Sequence, residues 1–170
     1  MKQVTIYTDG GCNPSNPGPG GYGAVLLYGE HRRELSGGFR WTTNNRMELL
    51  AAITALESLK HPCQVTLHSD SKYLVDAMNA GWAKRWQANQ WRRNKRGDAA
   101  KNPDLWQRLL DAAEHHQVKW VWVRGHTGIP ENERCDELAR QAAQVPELPI
   151  DTGYVADDLP QVAEPSGTYR

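Results

Sequence analysis

Two six-residue runs echo each other in this chain, Val4-Thr5-Ile6-Tyr7-Thr8-Asp9 and Val65-Thr66-Leu67-His68-Ser69-Asp70. Each is rich in β-branched residues and alternates with period two. Each stops at an aspartate, followed by Gly10-Gly11 in one case and by Ser71, which opens a helix-like stretch, in the other. Both runs predict strands with an acid at the carboxyl end. A right-handed crossover through an intervening helix would make the strands parallel neighbours, and Asp9 and Asp70 would emerge side by side where α/β proteins bind ligands. Two adjacent carboxylates repel unless a cation sits between them.

The rest of the chain supplies that crossover. A Gly/Pro-rich loop from Gly11 to Gly21 leads to strand-like runs over Tyr22–Tyr28 and Arg33–Trp41, parted by Gly29-Glu30, so three antiparallel strands are expected. Thr43–Lys60 then carries Leu49, Ala52, Ile53, Leu56 and Leu59 at helical spacing and is the crossover. Helices are predicted over Ser71–Ala80 and Pro103–His115, a strand over Lys119–Arg124 and a last helix over Glu131–Gln144. The expected fold class is α/β, a mixed five-stranded sheet with three antiparallel strands, then two parallel ones, flanked by helices. At 170 residues the chain suits one domain, read as 1–154, with a polar C-terminal tail at 155–170. From Pro146 onward five acids face one base, too polar to fold alone.

Composition excludes several classes. Cys12, Cys63 and Cys135 form no C-x-x-C pair, which argues against a disulfide framework and a zinc site, and a reducing cytoplasm is the expected location. The chain opens directly into a strand and has no long apolar run, so neither secretion nor a membrane partner is expected.

Two more acids stand in unusual places. Glu48 lines up with Ala51, Ala52, Ala55 and Leu59 on the apolar side of the first helix, and Asp136 lines up with Ala139 and Ala143 on the last. An acid facing a sheet must be paired, protonated or bound to metal. Plainer accounts exist: Asn45-x-x-Glu48 fits a capping box, the two strand-end aspartates can open turns, and Asp136 has Arg134 and Arg140 nearby. One shared site explains all four acids more economically. Hard oxygen donors without a Cys or His cluster suit Mg²⁺, with Mn²⁺ as a substitute, and four carboxylates suffice for two ions, pointing to phosphoryl transfer. His126, in Arg124-Gly125-His126-Thr127-Gly128 between the last strand and the Asp136 helix, is placed to shuttle protons.

Between Trp82 and Lys101, the bases Lys84, Arg85, Arg92, Arg93, Lys95, Arg96 and Lys101 stand against Asp98 alone, a local charge of +6 in a chain of zero net charge. Trp82, Trp86 and Trp91 are interleaved with them. This is the footprint of a nucleic-acid ridge, where cations release phosphate counterions and aromatics lie along a strand. The alternative is a solvated helix whose tryptophans dock on the core. Gly18-Pro19-Gly20-Gly21-Tyr22-Gly23 satisfies G-x-G-x-x-G, but a strand follows it rather than a helix, so no dinucleotide site is expected.

With these residues assembled, the chain resembles the bacterial type 1 ribonuclease H family from Lys2 to about Tyr154. The marks are Tyr7-Thr8-Asp9-Gly10, Asn16-Pro17-Gly18-Pro19-Gly20-Gly21-Tyr22-Gly23, Thr42-Thr43-Asn44-Asn45-Arg46-Met47-Glu48-Leu49, Ser69-Asp70-Ser71, Trp122-Val123-Arg124-Gly125-His126 and Glu131-Asn132-Glu133-Arg134-Cys135-Asp136-Glu137-Leu138-Ala139. The resemblance implies a monomeric endonuclease that uses two Mg²⁺ ions to hydrolyse the RNA strand of RNA–DNA hybrids, leaving 5′-phosphate and 3′-hydroxyl ends. It implies Asp9, Glu48, Asp70 and Asp136 as metal ligands and His126 as an aid to proton transfer or product release. Asn16, Asn44 and Asn45 match minor-groove contacts, Cys12 and Thr43 fall beside the DNA strand, and Trp82–Arg96 matches a basic protrusion holding that strand. Lys72 stands where glutamine is often found, among the substrate contacts, and Asn89 replaces a base within the protrusion. Two rival functions share these features: an integrase-like strand-transfer enzyme, disfavoured by Glu48 and the asparagine set, and a hybrid-binding module that does not cut, disfavoured by the intact acids.

Overall fold

A computed structural model of the chain describes residues 1–156. Its elements are β1 (Lys2–Cys12), β2 (Gly18–Tyr28), β3 (His31–Thr42), α1 (Asn44–Glu57), β4 (Cys63–Ser69), α2 (Lys72–Asn79), α3 (Trp82–Ala88), α4 (Pro103–Glu114), β5 (Gln117–Trp122) and α5 (Pro130–Ala143). The strands form one five-stranded sheet in the order β3-β2-β1-β4-β5. β1 pairs antiparallel with β2, and β2 with β3, while β1, β4 and β5 run parallel. This is the expected mixed α/β sheet.

The two echoing runs are neighbours. Their parallel register matches Val4 to Val65 and Thr8 to Ser69, which places Asp9 and Asp70 one position beyond the last shared pair. One expectation is corrected here. β1 does not stop at Asp9 but continues to Cys12, paired only on its β2 side, where Asp9 faces Gly23 and Cys12 faces Gly20. The strand signal faded because Gly10, Gly11 and the β2 residues Gly18–Gly21 have almost no side chains to alternate. β2 accordingly begins at Gly18 rather than Tyr22. The final strand lies two residues earlier than predicted, at Gln117–Trp122, since its bounds are set by pairing with Gln64–Ser69.

Helices cover both faces. α1 packs on β1, β2 and α4, and α5 lies across β2, β1 and β3 on the other side. α1 is buried around most of its circumference, from Met47 through Leu56, as befits a helix between a sheet and an outer helix. Its cap is Thr43, whose side chain accepts a hydrogen bond from Arg46 N at 3.2 Å, and not the Asn45-x-x-Glu48 box. Glu48 is thereby left free for other work. Ser71 caps α2 in the same way, accepting from Leu74 N at 3.2 Å. The main core lies between the sheet and α1, α2 and α4 and includes the fully buried Trp106, against which Tyr73 and Trp86 pack. Among the described residues no helix is long and apolar enough to cross a membrane.

Pro149 and Asp151, in the segment after Pro146, dock on the domain. Arg40 N donates to Pro149 O at 2.8 Å, and Asp151 accepts from Thr42 Oγ1 and from Arg46. Arg46 is almost completely buried, and its guanidinium is fully engaged. Nε and Nη2 reach Asp151 at 2.7 and 3.0 Å, Nη1 and Nη2 reach Asp104 at 2.9 and 2.7 Å, and Nη1 also reaches Asn102 at 3.2 Å. Two forked pairs on one guanidinium join α1, α4 and the C-terminal segment. The tail expected at 155–170 lies outside the described residues beyond Ala156. Asp151→Ala leaves a buried guanidinium half-compensated, and a loss of about 3 kcal/mol is expected in urea unfolding. A loss under about 1 kcal/mol would show the network to be incidental.

Candidate metal centre and nucleic-acid interface

Close packing of α1 against the end of β1 creates the site. A side chain on Gly10 would run into the main chain of Met47 and Glu48, with Glu48 N only 2.8 Å from the position of its Cβ. Glycine here lets the first turn of α1 lie directly on β1, and Glu48 is thus driven against Asp9. One oxygen each from Asp9, Glu48 and Asp70 lies within 4.8 Å of the others. Asp136 lines the same open cavity, of about 570 Å³, together with Asn44, Asn45, Lys72 and His126. It stands apart from the three-acid cluster, with Oδ2 held by Arg140 Nε at 3.0 Å.

Asp136 is carried to the site by the second turn of α5. α5 does not start at the acidic end of the sheet. Its Cys135 and Leu138 meet Gly23, its Ala139 meets Gly21 and its Ala142 meets Gly38, so α5 runs antiparallel to β2 and its second turn comes level with Asp9. The glycines of β2 and β3 admit the helix backbone where side chains would hold it off.

The electrostatics are those of a site short of positive charge. Burial, then the charges of Asp70 and Asp136, push the Asp9 carboxyl up to about 7, against the opposing hydrogen bond from Gly10 N at 2.9 Å. Burial and the proximity of Asp9 and Asp70 raise Glu48 well above the ordinary carboxyl range. Glu48 Oε1 is buried and has no hydrogen-bond partner. A buried acceptor with no donor is costly, and a divalent cation with oxygen preference would satisfy it together with the neighbouring acids. The residues present therefore fit such an ion.

His126 lies at the cavity edge in a left-handed backbone conformation (φ 58°), exposed on the loop between β5 and α5. Cys12 N donates to Asn44 Oδ1 at 2.7 Å, and Asn44 N donates to Asn16 Oδ1 at 3.0 Å, so the asparagines form a connected rim. Asn45 Nδ2 is buried without a partner, a donor awaiting an acceptor. Burial pushes the Cys12 thiol up to about 11, which keeps it neutral beside this rim.

The basic segment forms α3 and a turn closed by a bridge between Arg92 and Ala99. Trp82, Arg85, Arg92, Arg93 and Lys95 line an open depression of about 990 Å³. Arg93 and Arg96 share Asp98 at 3.7 and 3.0 Å, whereas among the described residues Arg92 and Arg85 bond to the main-chain carbonyls of Gly97 and Ala80 and have no acid partner. Two of the expected contacts sit differently from the arginines. Trp86 lines the same depression but is only 6% exposed, with its ring edge-on to Trp106, so it anchors the ridge on the core. Lys84 lines a separate depression with His116 and Trp120. Trp82 and Trp91 are half-buried and pack on the core from the ridge side.

The RNase H family model matches residues 1–144. The chain belongs to the ribonuclease H family. Relatives named Ribonuclease H from Syntrophus aciditrophicus and Desulforamulus reducens are 64% and 62% identical, over 91% and 89% of this chain and 88% and 94% of theirs. A protein named Ribonuclease HI from Synechocystis is 57% identical over 90% of this chain and 95% of its own length. Among solved structures, LC9-RNase H1, described as a type 1 RNase H with the type 2 active-site motif, is similar with a TM-score of 0.75 and 33% identity over 84% of this chain and 72% of that one. LC11-RNase H1, solved in complex with RNA/DNA hybrid, is similar with a TM-score of 0.60 and 27% identity over 82% of this chain and 96% of that one. In this RNase H the five-stranded sheet and flanking helices are those of the family.

Sequence reading missed the Arg46 network and the contact of Trp122 with the Asp70 turn. Arg46 was visible in principle, since it is a lone base among Met47, Leu49, Leu50 and Ile53 on a buried helix. Asp151, in a polar stretch, carried no such mark.

Because Asp9 has a higher pKa folded than unfolded, the cation-free native state binds extra protons between about pH 4 and pH 7, and loses stability as pH rises through that window. Asp9→Asn is expected to stabilise the cation-free protein at about pH 8 by on the order of 2–4 kcal/mol and by far less at about pH 4, measured by urea unfolding in EDTA. An equal effect at both pH values would refute the buried-charge account.

Proposed function

We propose that this RNase H hydrolyses the RNA strand of RNA–DNA hybrids, with Asp9, Glu48, Asp70 and Asp136 holding two Mg²⁺ ions for which Mn²⁺ can substitute. The observation that carries the reading is the cluster of Asp9, Glu48 and Asp70 with a buried, unpartnered Glu48 oxygen. Bound there, such ions supply Lewis-acid polarisation of the scissile phosphate and lower the pKa of an attacking water. Asp136 joins the set when Arg140, more than half exposed, releases it. Arg140 thus acts as the built-in counter-charge of an acid that would otherwise face three others.

In the reaction, the water oxygen bonds to phosphorus and the P–O3′ bond breaks, leaving a 5′-phosphate and a 3′-hydroxyl. His126 is exposed on the cavity edge, where an imidazole nitrogen can accept or return a proton. Asn16, Asn44 and Asn45 form the rim that faces the minor groove, where amides can pair with 2′-hydroxyls and base edges. Cys12 and Thr43 flank that rim. Arg85, Arg92, Arg93 and Lys95 with Trp82, which line the depression, together with the adjacent Arg96 and Trp91, form the surface for the DNA strand's phosphates, which gives affinity without sequence preference. The protein is read as a monomer of the cytoplasm, and its free thiols at Cys12, Cys63 and Cys135 accord with a reducing compartment.

The first test is cleavage of a strand-labelled hybrid in Mg²⁺ or EDTA, with RNA and DNA duplexes as controls. Mg²⁺-dependent loss of RNA from the hybrid alone is expected, and Asp9→Asn and Asp70→Asn should abolish it while hybrid binding persists. Binding without cleavage would instead mark a hybrid-binding module. Replacing Arg92, Arg93, Lys95 and Arg96 by Ala should flatten the salt dependence of hybrid binding by roughly 3 to 4 in log–log slope, and an unchanged slope would remove the ridge from the interface.

A further inference from the structure

Lys72 occupies an electrostatically awkward place. It is the first residue of α2, where the helix dipole disfavours a cation. It also lines the cavity that holds Asp9, Glu48, Asp70 and Asp136. Yet among the described residues its ammonium forms no ion pair with any of these acids. It lies over the face of Trp122, 4.8 Å from the ring centroid.

Trp122 is itself anchored. It sits opposite Ser69 in the β4–β5 register, Val123 N donates to Ser69 O at 2.9 Å, and its indole Nε1 donates to Asp70 O at 3.2 Å. Trp122 is 39% exposed, a large apolar side chain beside the turn that carries Asp70. Its polar edge thus holds the turn that presents Asp70, and its face holds the cation two residues further on. An ammonium released into a cavity lined by these acids would compete with a divalent ion for their oxygens.

We propose that Trp122 is a positioning residue that parks the Lys72 ammonium on its indole face, off the carboxylates, so that the acids stay open to the divalent cation and Lys72 meets a backbone phosphate of the bound nucleic acid. The phosphate half of this assignment rests on the hybrid-cleavage reading above. The metal half does not.

The test is a double-mutant cycle on Mn²⁺ affinity, followed calorimetrically on the full chain, using Trp122→Leu, Lys72→Gln and the pair together. Trp122→Leu should weaken Mn²⁺ binding by roughly 2- to 5-fold, the range a partly exposed cation–π contact supports. The same change should have no effect in a protein that already carries Lys72→Gln. Trp122→Phe, which keeps a ring face but loses the Nε1–H, should recover most of the affinity. Equal weakening by Trp122→Leu with Lys72 present and with it replaced would overturn the proposal, because Trp122 would then act only through the Asp70 turn. So would undiminished affinity in Trp122→Leu. Hybrid binding in EDTA gives the second readout: Trp122→Leu and Lys72→Gln should each lower the log–log salt slope by about 1. Unchanged slopes would refute the phosphate contact, whereas wild-type protein that fails to bind hybrid at all refutes the hybrid reading, with the Mn²⁺ cycle still deciding the role of Trp122.

Discussion

The first turn of α1 touches the main chain of β1 at Gly10, and the site depends on that contact. Any side chain at Gly10 would push the helix outward and carry Glu48 away from Asp9. With the contact made, three carboxylates meet within 4.8 Å in a partly desolvated corner. Such an arrangement is unfavourable on its own, as the raised pKa values of Asp9 and Glu48 record. It persists because each acid is imposed by a separate rigid element: a central strand, a buried helix and the end of a second parallel strand.

Several features keep that corner in place and available. Arg46, two residues before Glu48, is locked by Asp104 and Asp151, which ties the start of α1 to α4 and to the C-terminal segment. Thr43 caps the same turn and relieves Glu48 of any capping duty. Gly125 passes so close to Asp70 that its Cβ position would lie 2.6 Å from Oδ2, which confines that carboxylate on the loop side. Neighbouring cations are held elsewhere, Arg140 on Asp136 and Lys72 on Trp122. Among the described residues, the three-acid cluster is paired with no cationic side chain.

The binding surfaces follow from the same layout. Asn44 and Asn45 open α1 one turn before Glu48, so the amide rim and the acids share one cavity. The ridge grows from α3, rooted by Trp86 against Trp106 in the core. Its tryptophans tie the arginine-bearing surface to the core.

Much of this was legible in the residues alone. Strand alternation and the repeated terminal Asp predicted the parallel pair, helical spacing put Glu48 and Asp136 on the sides of their helices that line the cavity, and the +6 segment marked the basic surface around α3. These are local patterns, and period and composition carry them. Other decisions needed the assembled chain. The extension of β1 to Cys12, the capping of α1 by Thr43, the approach of α5 from the far end of the sheet, the burial of Trp86 and the docking of Asp151 on Arg46 each depend on what lies across from a residue. Glycine runs and polar segments have no period to read, and partners roughly a hundred residues apart leave no trace in either neighbourhood. The sequence by itself determined which acids exist and on which elements they ride. Only the tertiary structure decided which of them converge, because convergence depends on how closely one backbone can approach another.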